Sequence, residues 1–370
     1  MNFARYTSEV FDRKAARDFP VRDRQVVEID ADAHISDAFS VLLTHNLLCA
    51  PVWDHEQSGY LGFFDVNDAL SISYDIDLVK QSTGSSAEAQ QHMATSAVQV
   101  FEVFNKKNMI RNVDVPWTAV GSLAPMRDVI KVLATSKTRR VPVVDSTTGK
   151  TIKIISQSDV CRQLHQISAS TRESEWPEMF LQTPRGTGLG MHAVHTVRAD
   201  QEAREAFRVM IDHDVTCVGV VDDSNVVVGC IANRDIHIIT KNQQQPKKPV
   251  PSFAAPTARS RKFSIASSMT GERDYFGMLA MVFVNHVQNT ERRSQAQLVT
   301  ASPDSTFKHI LDKLASTGQH RVFLVNEHGA PEGVVSVSDI CTLVWTEVAK
   351  DYVKPSAVPP PLPPSSKKTG

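Results

Sequence analysis

The apolar positions around residue 130 first follow a helical period and then a strand-like one. Met126, Val129, Ile130 and Leu133 recur at intervals of three and four residues, which predicts an amphipathic helix. The β-branched run in VPVVD then predicts a short strand, STTGK a turn, TIKIIS a second strand and SQSD the start of another helix. The predicted order is helix, strand, turn, strand, helix.

This order recurs four times, and the copies share fixed spacings. A polar residue in the first helix precedes one at the end of the first strand by 17 residues in all four copies, and a final aspartate follows after 13 or 14. The final aspartates are Asp68, Asp159, Asp235 and Asp339. Two spacings rarely persist four times by chance, so the chain is predicted to contain four similar units. Because a two-stranded sheet cannot bury its face alone, we expect the units to fold in pairs.

The segments between the copies differ in composition from the copies themselves. Residues 241–262 are basic and Pro-rich, which predicts an extended or disordered linker, and RGTGLG at 185–190 is interpreted as a flexible boundary because it fits neither phosphate-loop spacing. The predicted divisions are an N-terminal extension at 1–19, units at 20–80, 109–168, 189–240 and 294–350, a flexible segment and connecting helix (Ala94 to Asn105) at 81–108, a boundary at 169–188, a linker with a short apolar helix at 241–293, and a Pro-rich tail at 351–370.

Composition argues against several classes of protein. Among 370 residues, 40 basic and 41 acidic groups leave a net charge of -1, which gives no indication of nucleic acid or an acidic membrane as a partner. The five cysteines include no CxxC pair, which argues against a disulfide framework and a zinc site and predicts no metal. The longest apolar run, Phe276 to Val284, is too short to span a bilayer. We therefore expect a cytoplasmic protein and leave a nuclear pool open.

The four units resemble CBS domains, whose tandem pairs form Bateman modules. Four such units without a catalytic domain resemble the γ (Snf4-type) regulatory subunit of AMP-activated protein kinase. The resemblance covers roughly residues 20–350, and its motifs are QHRV at 319–322 with GVVSVSDI at 333–340, and APVWD at 50–54 with GFFDVND at 62–68. It implies an α+β fold of four CBS repeats with helix-strand-strand-helix cores, paired into two Bateman modules in a disc-like, pseudo-symmetric arrangement.

The resemblance also implies which residues bind a nucleotide. The final aspartate of each unit is expected to accept hydrogen bonds from ribose hydroxyls, as an acceptor-only carboxylate can. A hydroxyl three residues earlier accompanies it at Ser156 and Ser336, whereas Asp65 and Ala232 depart from the pattern. Phosphate is expected at His320 and Arg321, which match the family's His-Arg pair, and the second unit has Arg139 and Arg140 at the same place.

These residues rank unequally. The site of Asp339, Ser336, His320 and Arg321 ranks first, and Arg139 and Arg140 are expected to reach the same nucleotide or a neighbouring one. The candidates from the other units are Asp159, Ser156, Asp235 and Asp68. Two plainer interpretations stay open: an aspartate at a helix start is also an N-cap, and two adjacent arginines can be an ordinary solvated pair.

No motif for catalysis is present, because the sequence lacks a nucleophile elbow, a P-loop, a zinc-protease helix and a kinase signature set. The resemblance implies a non-catalytic subunit that binds AMP, ADP and ATP as regulatory ligands, without an obligatory cofactor, in a heterotrimer with a catalytic (α-type) and a scaffold (β-type) kinase subunit. The alternatives are a CBS-only sensor or adaptor that binds adenosyl ligands and serves another partner, and a structural subunit with decayed sites. Ser264 is a candidate phosphorylation site, since Arg261 and Lys262 precede it.

Overall fold

The computed structural model describes residues 11, 14–21, 25–33, 35–83, 117–238, 274–290 and 298–350. Four predictions lie outside these residues: the helix from Ala94 to Asn105, the linker at 241–262, the candidate phosphorylation site at Ser264 and the Pro-rich tail at 351–370. Within the described ranges, no helix combines the length and the apolar content that crossing a bilayer would demand.

Each unit consists of a short strand, a helix, two longer strands and a second helical segment. The first unit contains β1 (Ile29–Asp30), α1 (Ile35–Thr44), β2 (Cys49–Asp54), β3 (Gly59–Asp65) and α2 (Val66–Thr83). The second contains β4 (Val120–Gly121), α3 (Met126–Thr135), β5 (Arg140–Val144), β6 (Thr151–Ser156) and α4 (Gln157–Ala169). Two short helices follow, α5 (Glu178–Leu181) and α6 (Pro184–Thr187).

The second half of the chain repeats this order. The third unit contains β7 (Thr196–Arg198), α7 (Ala203–Asp212), β8 (Cys217–Val221), β9 (Val227–Ala232) and a 3-10 turn (Asn233–Asp235). After α8 (Ala280–Thr290), the fourth unit contains β10 (Thr300–Ala301), α9 (Phe307–Thr317), β11 (Arg321–Val325), β12 (Pro331–Ser336) and α10 (Val337–Lys350).

All four sheets have the same topology. In each, the two longer strands form an antiparallel hairpin, and the short strand pairs parallel to the first of them. The α+β prediction of four helix-strand-strand-helix cores is therefore confirmed. The short parallel strands were not predicted, because two or three residues are too few to show an alternating pattern.

Consecutive units associate through their sheets, as the predicted pairing requires. Between the first and second units, the backbone N–H of Thr151 donates to the hydroxyl of Tyr60 at 3.0 Å, and the Tyr60 ring stacks on Trp117 at 4.5 Å between centroids. Between the third and fourth, the N–H of Val227 donates to the carbonyl of Gly329 at 3.0 Å. The sheets thus form one pair from the first half of the chain and one from the second.

Helices join the two pairs to each other. Helix α10 of the fourth unit packs on α3 and α4 of the second, and α9 also packs on α4, so these two units share one buried apolar cluster. Helix α2 of the first unit packs on α7 of the third. Each unit therefore contacts one neighbour through its sheet and another through its helices, and the four units surround a central cavity.

The stretch at 169–190 differs from the flexible boundary that the sequence suggested. Met179 and Phe180 are buried in the core shared by the second and fourth units. Arg185 binds the carboxylates of Asp304 at 2.9 Å and Glu332 at 3.0 Å. Its glycines indicated freedom of the backbone, but the apolar pair before them anchors the segment in the core.

Candidate functional site

The final aspartate of each unit occupies the same local position. One carboxylate oxygen accepts a hydrogen bond from the backbone N–H three residues earlier, at 2.7–3.0 Å, in Asp68, Asp159, Asp235 and Asp339. Asp159 and Asp235 are each the third residue (N3) of the helical segment, and the N-cap residues are Ser156 and Ala232, so the aspartates stabilise the helix start as N3 residues and the plain N-cap interpretation is wrong for them. Capping uses Oδ2 and leaves the second oxygen, Oδ1, to face another group.

The second and fourth units add a hydroxyl to this cap. Ser156 donates from Oγ to Oδ2 of Asp159 at 2.6 Å, and Ser336 does the same to Asp339 at 2.7 Å. In the third unit Ala232 has no hydroxyl to offer. The Ser-x-x-Asp arrangement thus holds the carboxylate in a fixed orientation in two of the four units.

A second set of equivalent positions lies where the first long strand begins. The carbonyls of Leu48, Arg139, Thr216 and His320 each accept a hydrogen bond from the first residue of the following helical segment, at 2.9–3.2 Å. The next residue in each unit is Cys49, Arg140, Cys217 or Arg321. This register matches the alignment of the phosphate-binding positions that the sequence predicted.

All four units contribute to a central cavity of about 480 Å³. Five of the predicted site residues line it together: Arg139, Arg140, Ser156, Asp159 and His320. A smaller cavity of about 30 Å³ adjoins it, and its lining includes Asp235, Arg321 and His320. The remaining candidates, Asp68, Ser336 and Asp339, line neither of these two cavities. The four residues that the sequence ranked first are thus separated: His320 lines both cavities, Arg321 lines the smaller one, and Ser336 and Asp339 line neither.

The cavity wall at His320 is strongly positive. Burial, together with the guanidinium groups of Arg234, Arg321, Arg140 and Arg139, lowers the pKa of His320 to about 3. The imidazole is therefore neutral at physiological pH, and the four guanidinium groups that act on it come from the second, third and fourth units. Their convergence creates a site for an anion with several negative charges.

Two of these arginines donate to neutral side chains. Arg234 donates to the Gln319 side chain at 2.6 Å, and Arg321 donates to the hydroxyl of Thr216. Neither Arg139 nor Arg140 forms a side-chain hydrogen bond or a salt bridge with any residue that the structure describes, although Asp65 contributes an attractive charge to Arg139. Burial lowers the pKa of Arg139, which shows that its charge lies in a poorly solvated position.

The lining of the cavity also includes apolar side chains. Val26 and Val27 of the N-terminal segment, Leu47 of the first unit and Leu314 of the fourth all line it. Asp159 lines the same cavity, and its Oδ1 accepts a hydrogen bond from Arg162 at 2.8 Å. The cavity thus offers apolar side chains for a flat ring, a carboxylate for hydroxyl groups and guanidinium groups for phosphate.

Sequence reasoning missed Arg234, which lines both cavities. At the start of its first long strand, where the second and fourth units have basic residues, the third unit has Thr216 and Cys217. Arg234 comes instead from the 3-10 turn, directly before Asp235. A cation in the first turn of a helical segment faces the positive end of the backbone dipoles, and this unfavourable placement was the available signal.

Comparisons with known proteins agree with this architecture. The sequence profile of the CBS domain matches residues 109–166, 189–238 and 294–345. The subunit gamma-3 of 5'-AMP-activated protein kinase from Bos taurus is 19% identical over 324 residues, which cover 85% of this chain and 55% of that protein. The human gamma-3 subunit has the same identity with 56% of its length covered. The chain therefore spans about half the length of these curated relatives.

A solved structure shares the fold. Protein MJ1225 from Methanocaldococcus jannaschii, described as a candidate archaeal homologue of γ-AMPK, superimposes with a TM-score of 0.59 at 13% sequence identity. The match covers 90% of this chain and 100% of that one. At this identity the similarity concerns the fold alone.

Proposed function

We propose that this chain, which matches the CBS domain in three of its four similar units and resembles the γ regulatory subunits of AMP-activated protein kinase, binds adenine nucleotides in its central cavity as a non-catalytic regulatory protein. The single observation that carries the proposal is the convergence of Arg139, Arg140 and Arg234 in a cavity of about 480 Å³ whose lining includes Asp159, with Arg321 in the adjoining smaller cavity. That volume lies within the range of about 300–1,000 Å³ typical of small-molecule sites.

Each part of a nucleotide has a complement in this cavity. Arg139 and Arg140 present planar guanidinium groups that bind phosphate with two parallel hydrogen bonds. Asp159 accepts from the ribose hydroxyls, and Ser156 keeps its carboxylate oriented. The apolar side chains that include Leu47 and Leu314 pack against the adenine ring. AMP, ADP and ATP then differ mainly in how many guanidinium groups their phosphates occupy.

The charged groups at this site bind without transferring protons. Guanidinium groups stay protonated at physiological pH, and His320 stays neutral because its pKa lies at about 3. The carboxylate of Asp159 is already held by Ser156 and Arg162. This chemistry supports a binding site rather than an acid–base centre and requires no resident cofactor.

Regulation follows from the position of the cavity among four units. A nucleotide that contacts the second, third and fourth units favours one arrangement of the two sheet pairs, and a partner that senses this arrangement binds or releases accordingly. The name of the relatives supports a kinase complex as that partner, with an α-type catalytic and a β-type scaffold subunit in a cytoplasmic heterotrimer. The smaller cavity at Asp235 and Arg321 is a second, weaker candidate site.

Calorimetric titration with AMP, ADP and ATP tests the binding proposal. The double variant Arg139→Ala/Arg140→Ala is expected to weaken ATP binding at least about 100-fold, since each guanidinium contact to phosphate contributes about 1.5–3 kcal/mol. Lys137→Ala is the matched control, because Lys137 is an exposed cation two residues before the pair. Binding weaker than millimolar in the wild type, or equal affinity in the double variant and the control, overturns the proposal.

Purification of the tagged protein from its native extract tests the partner. Recovery of a kinase catalytic subunit and a scaffold subunit in stoichiometric amounts is expected. Recovery of a different stoichiometric partner, with nucleotide binding intact, would instead favour the sensor or adaptor alternative. Recovery of the kinase subunits with a protein that binds no nucleotide would favour a structural subunit with decayed sites.

A further inference from the structure

Two cysteines of the third unit lie on one face of its hairpin. Cys217 in β8 is opposite Ala232, and Cys230 in β9 is opposite Gly219, so the cysteines are diagonal neighbours across the two strands. The other face of the hairpin packs into the core through side chains that are fully buried: Val218, Val220 and Ile231. The two thiols therefore face away from the core of their own unit.

Both cysteines line the smaller cavity, where they meet the arginine cluster. Arg234 and Arg321 line the same cavity, and Arg234 also lines the main one. Cys217 and Cys230 are half-buried rather than fully enclosed. A small reagent that enters the cavity can therefore reach the thiols, and any change of charge there acts on the groups assigned to phosphate.

The surroundings of Cys217 favour its thiolate. A hydrogen bond from Cys230 and the charges of Arg321 and Arg234 outweigh the opposing effect of burial, and the pKa of Cys217 is lowered to about 6. Cys49 holds the equivalent position in the first unit, yet burial raises its pKa to about 11. Since the thiolate is the nucleophilic form, two cysteines at one repeat position differ in reactivity.

We propose that Cys217 and Cys230 form a peroxide-reactive dithiol whose oxidation increases the affinity of the adjoining central cavity for anionic ligands. In the first step the Cys217 thiolate attacks a hydroperoxide, its sulfur gains an oxygen as sulfenic acid, and the O–O bond breaks to release hydroxide or alkoxide. In the second step the Cys230 sulfur attacks this sulfenic acid, the S–S bond forms and water leaves with the thiol proton. The peroxide is reduced and the two thiols are oxidised, so no further reactant is needed.

The hairpin geometry makes such a disulfide easy to reverse. Diagonal positions on an antiparallel pair lie about 7–8 Å apart, whereas disulfide-bonded residues have Cα atoms roughly 4.4–6.8 Å apart. The strands must therefore move slightly to bring the sulfurs into bonding distance. A strained disulfide has a more oxidising potential and is reduced readily by cellular thiols, as a reversible modification requires.

The expected change in affinity has a definite sign. In the reduced protein the negative Cys217 thiolate offsets part of the positive charge of Arg321 and Arg234. The disulfide is neutral, so oxidation leaves these guanidinium groups more positive toward the central cavity. This second part rests on the proposed function, with ATP as the ligand, and an affinity gain of about threefold to tenfold is expected for one unit charge screened at this range.

Peptide mapping after treatment with hydrogen peroxide tests the chemical step without any nucleotide. One disulfide between Cys217 and Cys230 is expected, and in Cys230→Ser the sulfenic acid at Cys217 should accumulate and react with dimedone. Cys49→Ser is the matched control and should leave both results unchanged. Absence of the Cys217–Cys230 disulfide in the folded wild-type protein overturns the inference, whether or not ATP binds.

Titration of the oxidised and reduced proteins with ATP tests the coupling. The affinity should rise on oxidation of the wild type and of Cys49→Ser, and it should stay constant in Cys217→Ser. A disulfide that forms with no gain in ATP affinity overturns the coupling. If the reduced protein binds no ATP, the proposed function fails while the mapping result still decides whether the dithiol exists.

Discussion

The second and fourth units differ from the first and third units in the residues that surround the same final aspartate. In all four, a final aspartate stabilises the start of the helical segment after the hairpin. In the second and fourth, a serine hydroxyl also holds the carboxylate, and basic residues begin the first long strand. In the first and third, the strand begins with Leu48-Cys49 or Thr216-Cys217, and no hydroxyl supports the cap in the third.

This difference shows that the final aspartate has a structural role in all four units, whereas the groups that suit a nucleotide accompany it in only some of them. The capping bond is present with or without the serine and the cations, so the aspartate is needed for the helix in every unit. The groups that suit a nucleotide vary from unit to unit while the cap stays. The helices also pair units of the same kind, the second with the fourth and the first with the third.

The largest expected effect comes from removing the final aspartate in one unit of each kind, Asp159 in the second and Asp68 in the first. Asp159→Ala should weaken ATP binding about 10- to 100-fold, because it removes an acceptor from the main cavity. Asp68→Ala should change ATP binding less than about threefold, while both variants lose about 1 kcal/mol of unfolding free energy with the cap. Calorimetry and urea unfolding measure the two quantities. Equal losses of ATP affinity in the two variants would contradict the distinction between the second and fourth units and the first and third.

Asp339→Ala sharpens the comparison within the second and fourth units. Its cap matches that of Asp159, but Asp339 does not line the main cavity, so we expect loss of the cap energy and less than about a threefold change in ATP affinity. The sequence ranking predicts the opposite, with the larger loss at Asp339. Titration of both alanine variants under identical conditions therefore decides between the sequence ranking and the placement in the structure.

Acid should destabilise the arginine cluster through His320. Folding lowers the pKa of His320 from 6.5 to about 3. Between pH 6.5 and pH 3, His320 is therefore protonated in the unfolded chain and neutral in the folded protein. This contribution to stability is complete above pH 6.5 and falls as the pH drops toward 3, by at most about 1.4 kcal/mol per pH unit. Urea unfolding at pH 7.5 and 5.5 should show a loss about 1 kcal/mol smaller in His320→Gln than in the wild type. An identical pH dependence would contradict this assignment.

The smallest effects should come from removing the capping hydroxyl of the second unit and from introducing one at the equivalent position of the third. Ser156→Ala is expected to lose about 1 kcal/mol of unfolding free energy, because the hydroxyl that accepts from the Asp159 N–H is removed. Ala232→Ser should gain a few tenths of a kcal/mol to about 1 kcal/mol at the equivalent position. Chemical denaturation of both variants measures the pair. If Ala232→Ser gains no unfolding free energy while Ser156→Ala loses about 1 kcal/mol, the third unit cannot use the hydroxyl.

The repeat spacing was sufficient to predict the architecture, because two fixed spacings determine helix, hairpin and helix in every copy. It also placed Arg139 and Arg140 at the positions of His320 and Arg321. It could not show which aspartate lines the cavity, since Asp159 and Asp339 have the same local sequence pattern and differ only in what packs around them. Arg234 was missed for the same reason, because its role arises from contact between the third and fourth units.

The core shared by the second and fourth units has a consequence for biosynthesis. Helices α3 and α4 leave the ribosome before the helix that covers them, since α10 ends about 180 residues after α4 does. At roughly 5–20 residues per second, their apolar faces wait about 10–40 seconds for a partner. During that interval the nascent second unit exposes the surface of half a core, so chaperone binding should concentrate there and end once residue 350 has emerged.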